Sequence, residues 1–446
     1  EEAGLTRDAR TRIQMAVGHT IEDIDLILKP MVTDGKEATG SMGDDTPLAV
    51  LSHQYRGMHH FFRQNFSQVT TPPIDSLREK RVMSLYTRLG NLGNILDESK
   101  EQCQMLAVRS PVITNGEFHA LKNYLGDKTT EIDTTFPVDG EQDALKDALA
   151  RIRTDAEAAA KNGKGHLILT DTALSKSRAP IPAVLAAGAI HTHLIRLGLR
   201  CEATITVRTA ECMDAHHFAV LIGVGATLVN AWLTQEAIEA ERQRGLYGEK
   251  SLSECMANYK TAIGEGLLKI MSKMGISVIS SYRGGSCFEA IGLSRALVAE
   301  YLPSIPSRIS GIGLSGLQAK VLKQHASAFA HESAELLPVG GFYRYRKDGE
   351  RHAWEAQAIH LLQTACTKGD YKLFKRYSDM VHTRVPMQLR DLLDFQSSRL
   401  QTALPDIEPA EEIRKRFVTP AMSLGALSPE AHGTLSVAMN RIGAKA

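Results

Sequence analysis

The sequence predicts an α/β fold: a mostly parallel, barrel-like β/α central domain with an added helical segment, followed by the first β/α unit of a second barrel. Three observations carry this. From about residue 105 short apolar β-branched runs alternate with stretches of helical periodicity, the pattern of strands joined by crossover helices. Cys201–Trp232 holds two such runs, Ala203–Val207 and Phe218–Val224, and the second opens into Gly223-Val224-Gly225-Ala226 and a helical pattern. Composition is that of an ordinary globular protein, with 43% hydrophobic and 23% charged residues.

In chain order, Thr20 with Asp23 fits a capping box opening a helix that Pro30 ends. Residues 40–47 read as a loop. Residues 53–66 mix aromatics, His and Arg; with 52 basic against 51 acidic residues and a net charge of +1, this stretch is expected to pack on the protein rather than bind nucleic acid. Thr70–Ile74 reads as a turn, and a helix follows from Ser76. Candidate strands are Pro111–Thr114, Glu131–Phe136, His166–Thr170, Ala203–Val207, Phe218–Val224, Ser277–Ser281 and Phe288–Ile291. Candidate helices are Glu117–Leu125, Glu141–Lys161, Ile181–Leu197, Thr227–Arg242, Ser253–Met274, Ser294–Tyr301 and Leu314–Ala334. Leu145, Leu149 and Ile152 mark the buried face of the second. Beyond 335, Val339–Arg346 reads as a strand and Ala353–Cys366, Tyr371–Met380 and Leu389–Leu400 as helices. After a linker at Pro405–Pro409, Arg416–Ser428 reads as strand and loop, with Ser428 capping a helix that has Pro429 at its first position.

No apolar run reaches the ~20 residues of a membrane span. The six cysteines share no C-x-x-C spacing, so reduced thiols in the cytoplasm are expected and a cysteine-held metal or iron–sulfur cluster within these residues is not. The chain starts without Met and is read as part of a longer polypeptide.

Few groupings suggest chemistry. At Gly223-Val-Gly-Ala226 the third glycine of a dinucleotide fingerprint is replaced by Leu228, so close packing of a strand end on its helix is expected rather than a phosphate cup. His216 and His217 stand before a presumed strand, where neighbours point opposite ways; a shared metal is not expected. Asp44 and Asp45 are read as turn caps. Cys287 follows Arg283, but Phe288 and Ile291 point to burial and not to a reactive thiol. The small residues of Ala421–Ser428, at the end of a presumed first barrel strand, would let a flat ring approach the backbone.

Several stretches together resemble the large (α) subunit of glutamate synthase. They include Gly40-Ser-Met-Gly-Asp-Asp-Thr-Pro47, Pro72-Pro-Ile-Asp75, Arg178-Ala-Pro-Ile-Pro182, His216-His-Phe-Ala-Val-Leu-Ile-Gly223, Ser281-Tyr-Arg-Gly284 and Met422-Ser-Leu-Gly-Ala-Leu-Ser-Pro-Glu-Ala-His432. Thr71 departs from the Asn often found there. The resemblance implies a lead-in from an amidotransferase domain (1–45), a central connecting domain (46–405), and a linker with the start of an FMN-binding domain (406–446). It implies a subunit that makes glutamate from glutamine and 2-oxoglutarate, with FMN and an iron–sulfur cluster elsewhere in it. A small NADPH-oxidising subunit is the implied partner, and Asn91–Leu96 resembles the bacterial NADPH form. This segment would help shape an ammonia tunnel, be inactive alone and carry no catalytic residue. Met422, Ser423, Leu424 and Gly425 are the implied flavin contacts. Two other readings are an autonomous flavin- or phosphate-binding barrel oxidoreductase, and a non-catalytic interaction module using residues 53–66.

Overall fold

The structure, a computed structural model, describes residues 4–40, 43–67, 76–94, 96–140, 143–330, 336–396, 398, 400 and 402–446. The turn expected at Thr70–Ile74 lies outside these residues. The chain divides into two compact units after Leu392.

The larger unit is organised on a four-stranded parallel sheet. Its strands are β1 (Thr129–Asp133), β2 (His166–Thr170), β3 (Thr204–Arg208) and β4 (Leu228–Asn230), side by side in that order. The register pairs Thr129 with His166, His166 with Thr204, and Thr206 with Leu228. Crossovers are α1 (Ala144–Lys161), α2 (Ala183–Arg196) and α3 (Ala215–Gly223). Consecutive strands lying adjacent, each reached through a helix, is barrel-type winding; a doubly wound sheet would reverse order at a switch point. The β3 sequence Thr-Ile-Thr-Val is β-branched and buried on both faces, as a strand covered on both sides requires. In α1, Leu145, Ala148, Leu149, Ile152, Ala156 and Ala159 recur at helical spacing and form its buried stripe. They join one continuous apolar core with Ile205, Val207, Phe218 and Leu221. Beyond the sheet lie α4 (Trp232–Gln243) and the long α5 (Leu252–Lys273), whose Ser251 and Glu254 close a reciprocal capping box. No helix is long and apolar enough to cross a membrane among the described residues.

Several expectations are corrected. Phe218–Val224 is not a strand: the Asp214 carboxylate accepts from His217 N at 3.0 Å and starts α3 there. A short run that is apolar all round fits a buried helix as well as a buried strand, and the cap decides. The strand comes later, at β4, inside the expected Thr227 helix. Thr227 locks it in place, its N–H donating to Ile205 O at 2.7 Å and its Oγ1 accepting from Ile205 N at 3.1 Å. Pro30 does not end its helix. The helix runs unbroken from Ile21 through the π-helical turn Asp23–Leu28 and on through Lys29–Asp34, past Pro30, and stops at left-handed Gly35. Pro111–Thr114 contributes one parallel bridge, Val112 to Val229, extending the sheet past β4. Ser277–Ser281 gives one bridge at Val278 and then the helical turn Ile279–Tyr282. Val339–Arg346 forms no ladder. Its amides turn onto one side chain: Glu22 accepts from Phe342 N (2.6 Å), Tyr343 N (3.2 Å) and Arg344 N (2.8 Å). Of Leu389–Leu400, Leu389–Leu392 is a 3-10 turn and the described residues beyond it are irregular.

In the smaller unit, Ser428 Oγ accepts from Ala431 N at 3.2 Å and caps the helix Pro429–Arg441, as read from the sequence. The expected strand at 416–428 is reduced to one bridge, Val418 to Lys445.

Candidate functional site: a buried imidazole cavity

A cluster of buried polar side chains lies where three segments meet. The 3-10 turn Met58–Phe61 brings in His59 and His60. The first turn of α3 brings in His216 and His217, and the chain after helix Arg7–Ala16 brings in His19. Glycines permit the approach: a side chain on Gly57 would meet the His59 ring at 2.7 Å, and one on left-handed Gly18 would meet Tyr55 at 2.6 Å. The His59 and His217 rings are 3.5 Å apart between centroids, and His59 and His60 4.6 Å.

Four of these rings, His19, His59, His60 and His217, are held neutral. Burial, followed by the neighbouring imidazoles or Arg56, pushes His59 and His60 well below their ordinary value. Burial lowers His19 and His217 to about 4, although Asp214 opposes it at His217. Burial would raise Asp214, but His217, His216 and their amides carry it below the usual carboxylate range. Burial and then Asp171 push Glu211 up to about 8, so it carries a proton at neutral pH.

Ring nitrogens of His59, His60 and His217 lie within 4.8 Å of one another, a spacing a metal ion could use. The hydrogen bonds argue otherwise. His217 Nδ1 accepts from Met213 N at 3.0 Å, and His60 Nδ1 faces the Arg56 Nη2 donor at 3.3 Å. Each bond places the ring proton on Nε2, so both rings offer N–H rather than a lone pair on that side. The cluster is better suited to a small polar neutral guest. His217 Nε2 and both nitrogens of His19 are buried without a hydrogen-bond partner, and the enclosed space of about 30 Å³ they line takes a water or two. Ile27, Arg56, Phe342 and Tyr343 line both this space and a cleft of about 1150 Å³. The Arg56 guanidinium stacks 4.2 Å over the Phe342 ring.

The residues singled out from sequence are distributed as follows. His217 joins the cavity, and the mistaken strand hid it. His59 and His60 had no local signal, since 157 residues separate His216 from the His59 carbonyl its Nε2 bonds. Asp44 caps its turn, accepting from Thr46 N at 3.1 Å and Oγ1 at 2.6 Å. Asp45 does more: it takes the Trp354 amide at 3.0 Å and pairs with His352 Nδ1 at 2.8 Å. His352 Nε2 also donates, to Gly341 O at 2.7 Å, so both ring nitrogens act as donors, the pattern of an imidazolium. Gly223 and Gly225 serve packing: side chains there would strike Phe288 at 2.5 Å and His191 at 2.3 Å. Burial raises the Cys287 thiol, the reverse of nucleophile activation. In the 53–66 stretch Phe61 and Phe62 are buried in the core, while Phe66 is exposed. Met422–Gly425 lie in a loop of the smaller unit with Leu424 exposed; Ser423 Oγ accepts from Gly425 N at 3.1 Å.

The profile described as "Glutamate synthase central domain" matches residues 12–294, and that described as "Conserved region in glutamate synthase" matches residues 352–446. The chain is 63% identical over 445 residues to the glutamate synthase [NADPH] large chain of Azospirillum brasilense, covering 100% of this chain and 29% of that one. It is 41% identical to the large chain of the same name in Bacillus subtilis, over 98% of this chain and 28% of that one. It is 40% identical to ferredoxin-dependent glutamate synthase 2 of Synechocystis, over 100% of this chain and 30% of that one. The chain thus spans under a third of the length of these relatives.

Proposed function

The chain belongs to the glutamate synthase family, and from that premise we propose that it is the central connecting segment of an NADPH-type large chain, cytoplasmic and paired with a small NADPH-oxidising subunit. Residues 1–45 lead in from an amidotransferase domain, 46–405 form the connector, and 406–446 begin the FMN-binding part. The whole enzyme makes glutamate from glutamine and 2-oxoglutarate. This segment adds no catalytic residue of its own; it forms part of the ammonia route between the two reaction centres. An iron–sulfur cluster, in this reading, is held by residues beyond the segment.

The imidazole cavity is the observation that carries the route. Ammonia must travel unprotonated, and free ionised carboxylates would hold it as ammonium; of the acids that line this space, Asp214 accepts from the His217 amide, Asp23 from the Thr20 hydroxyl, and Glu211 is itself uncharged. Imidazoles kept neutral by burial, with unpartnered N–H and N groups, offer hydrogen bonds without that trap. The test is His19→Phe in the large chain with its small subunit. His19 gives up no hydrogen bond, and the larger ring fills the space. The expected result is glutamine hydrolysis in excess of glutamate formed, with synthesis from added ammonium retained. One-to-one coupling with the cavity filled would place the route elsewhere.

Met422, Ser423, Leu424 and Gly425 are our proposed flavin contacts. Their backbone is accessible, and a side chain on Gly425 would meet only Ser423 Oγ, at 3.3 Å, so a flat ring has room to approach. Bound FMN would supply the electron transfer; these residues would position it.

A further inference from the structure

A second cleft, of about 370 Å³, opens at the strand-start edge of the parallel sheet, where Ala203, Thr204 and Thr227 form part of its wall. Its lining includes three arginines, Arg88, Arg200 and Arg283, with His191 and Ser280, and no Asp or Glu among the described residues. Arg200 is tied down entirely by neutral acceptors. Its Nε donates to His191 Nδ1 at 2.8 Å, Nη1 to Ala203 O at 2.6 Å and Nη2 to Gly225 O at 2.9 Å. These bonds fix the plane of the guanidinium and leave one N–H on each terminal nitrogen. Arg283 is half-buried, and among the described residues its side chain has neither a carboxylate nor a hydrogen-bond partner. Glu202, the acid nearest Arg200 in sequence, is engaged by Asn91 Nδ2 at 2.6 Å, and Glu289, the one nearest Arg283, pairs with Arg308. His191 cannot balance the charge: it is wedged between Gly225 and Gly284, and burial with Arg200 and Arg283 brings it down to about 3.

Two guanidiniums sheltered in one cleft repel each other and lose hydration. Burial followed by Arg283 lowers Arg200 to about 10, and burial lowers Arg283 as well. Such an arrangement is stable only at a cost that a counter-anion removes. Guanidinium forks match the paired oxygens of phosphate and carboxylate. The volume suits a small metabolite rather than a macromolecular surface.

We propose that the cleft formed by Arg200 and Arg283 binds the phosphate or carboxylate group of a small molecule. It is separate from the imidazole cavity and independent of the ammonia route. Arg200 is the pre-oriented half of the clamp, and Arg283 is the half that engages when the anion arrives. The glycine turn at Gly223–Ala226 contributes the Gly225 carbonyl that aims Arg200, and not a backbone phosphate cup.

Calorimetric titration of the chain with inorganic phosphate and, separately, succinate, at ionic strength held constant with potassium chloride, tests this. Saturable binding is expected for at least one anion. A response to phosphate alone assigns a phosphoryl ligand, a response to succinate alone a carboxylate ligand, and a response to both a general oxyanion site. Arg283→Met should weaken binding about tenfold or more. Without ligand it should melt at or above the wild-type temperature, because an unpaired charge is removed and no hydrogen bond is lost. Arg283→Lys, which keeps the charge without the fork, should fall between. Absence of saturable binding by either anion overturns the proposal, as does wild-type binding by a folded Arg283→Met chain. A lowered melting temperature for that variant would identify Arg283 as a structural cation and also count against it.

Discussion

Burial at single residues determines how this chain responds to pH. His19 and His217 titrate near 4 in the fold against 6.5 outside it, and His59 and His60 are lowered in the same direction. On unfolding they take up protons below about pH 6.5, so their contribution is present above that pH and lost as pH falls towards 4. Glu211 is opposite: it keeps its proton to about 8 in the fold but loses it near 4.5 when unfolded. Its effect is to reduce stability as pH rises through that window. Burial lowers His166 and His191 likewise, so on the acid side the imidazoles outweigh Glu211 and Asp23, which burial raises to about 6, and maximal stability is expected near pH 6.5. Above it the stability falls, by at most about 1.4 kcal/mol per pH unit for one group. Glu211→Gln keeps an acceptor for Ala183 N and should flatten the limb between pH 6.5 and 8; denaturant midpoints across that range measure it. A second residue-scale prediction concerns Gly225, at φ +122 with the His191 ring where a Cβ would sit. Gly225→Ala should cost about 1–3 kcal/mol, while Gly433→Ala, in an open helix position, should gain about 0.5–1 kcal/mol. Local chemistry of this kind was legible in the sequence where partners are near: Thr20 with Asp23, Asp44 with Thr46 and Ser428 with Ala431 all pair as read. Partners hundreds of residues apart, such as Asp45 and His352, leave no local trace.

Among elements, legibility followed length. Helices α1 and α5 show enough turns for their stripe to identify them, α2 is buried nearly all round and is marked by its length and alanines, and β2 and β3 carry β-branched residues without helical spacing. The short apolar run at α3 offers no stripe, and only the Asp214 cap distinguishes it from a strand. The consequence reached the site, because a strand at 218–224 would have sent His216 and His217 to opposite faces and separated them from His59. Capping also yields a prediction. Ser251 Oγ receives Glu254 N at 3.3 Å and Glu254 returns to Ser251 N at 2.8 Å. Ser251→Ala should therefore cost about 1 kcal/mol, read from the denaturant midpoint, whereas Ser251→Asp should keep most of it.

For the molecule as a whole, the α/β class and parallel sheet were legible because alternation of element types survives errors in any one element. Among its described residues the smaller unit shows one bridge, the capped helix Pro429–Arg441, the short helix Ala410–Arg414 and one 3-10 turn, a sparse frame for a cofactor. The chain alone is accordingly expected to stay colourless after incubation with FMN and desalting. A stoichiometric flavin absorption band would show that it is a flavoprotein in its own right. The Glu22 carboxylate, which gathers the amides of Phe342, Tyr343 and Arg344, spans 320 residues to the first of them. At a synthesis rate of about 5–20 residues per second, roughly a quarter of a minute to a minute separates the two on the ribosome. Throughout that interval Glu22 has no acceptor role to fill, and the wall that Phe342 and Tyr343 give the imidazole cavity does not exist. The sheet can fold as it emerges, but the cavity gains this wall only when Phe342 and Tyr343 reach the waiting Glu22 carboxylate.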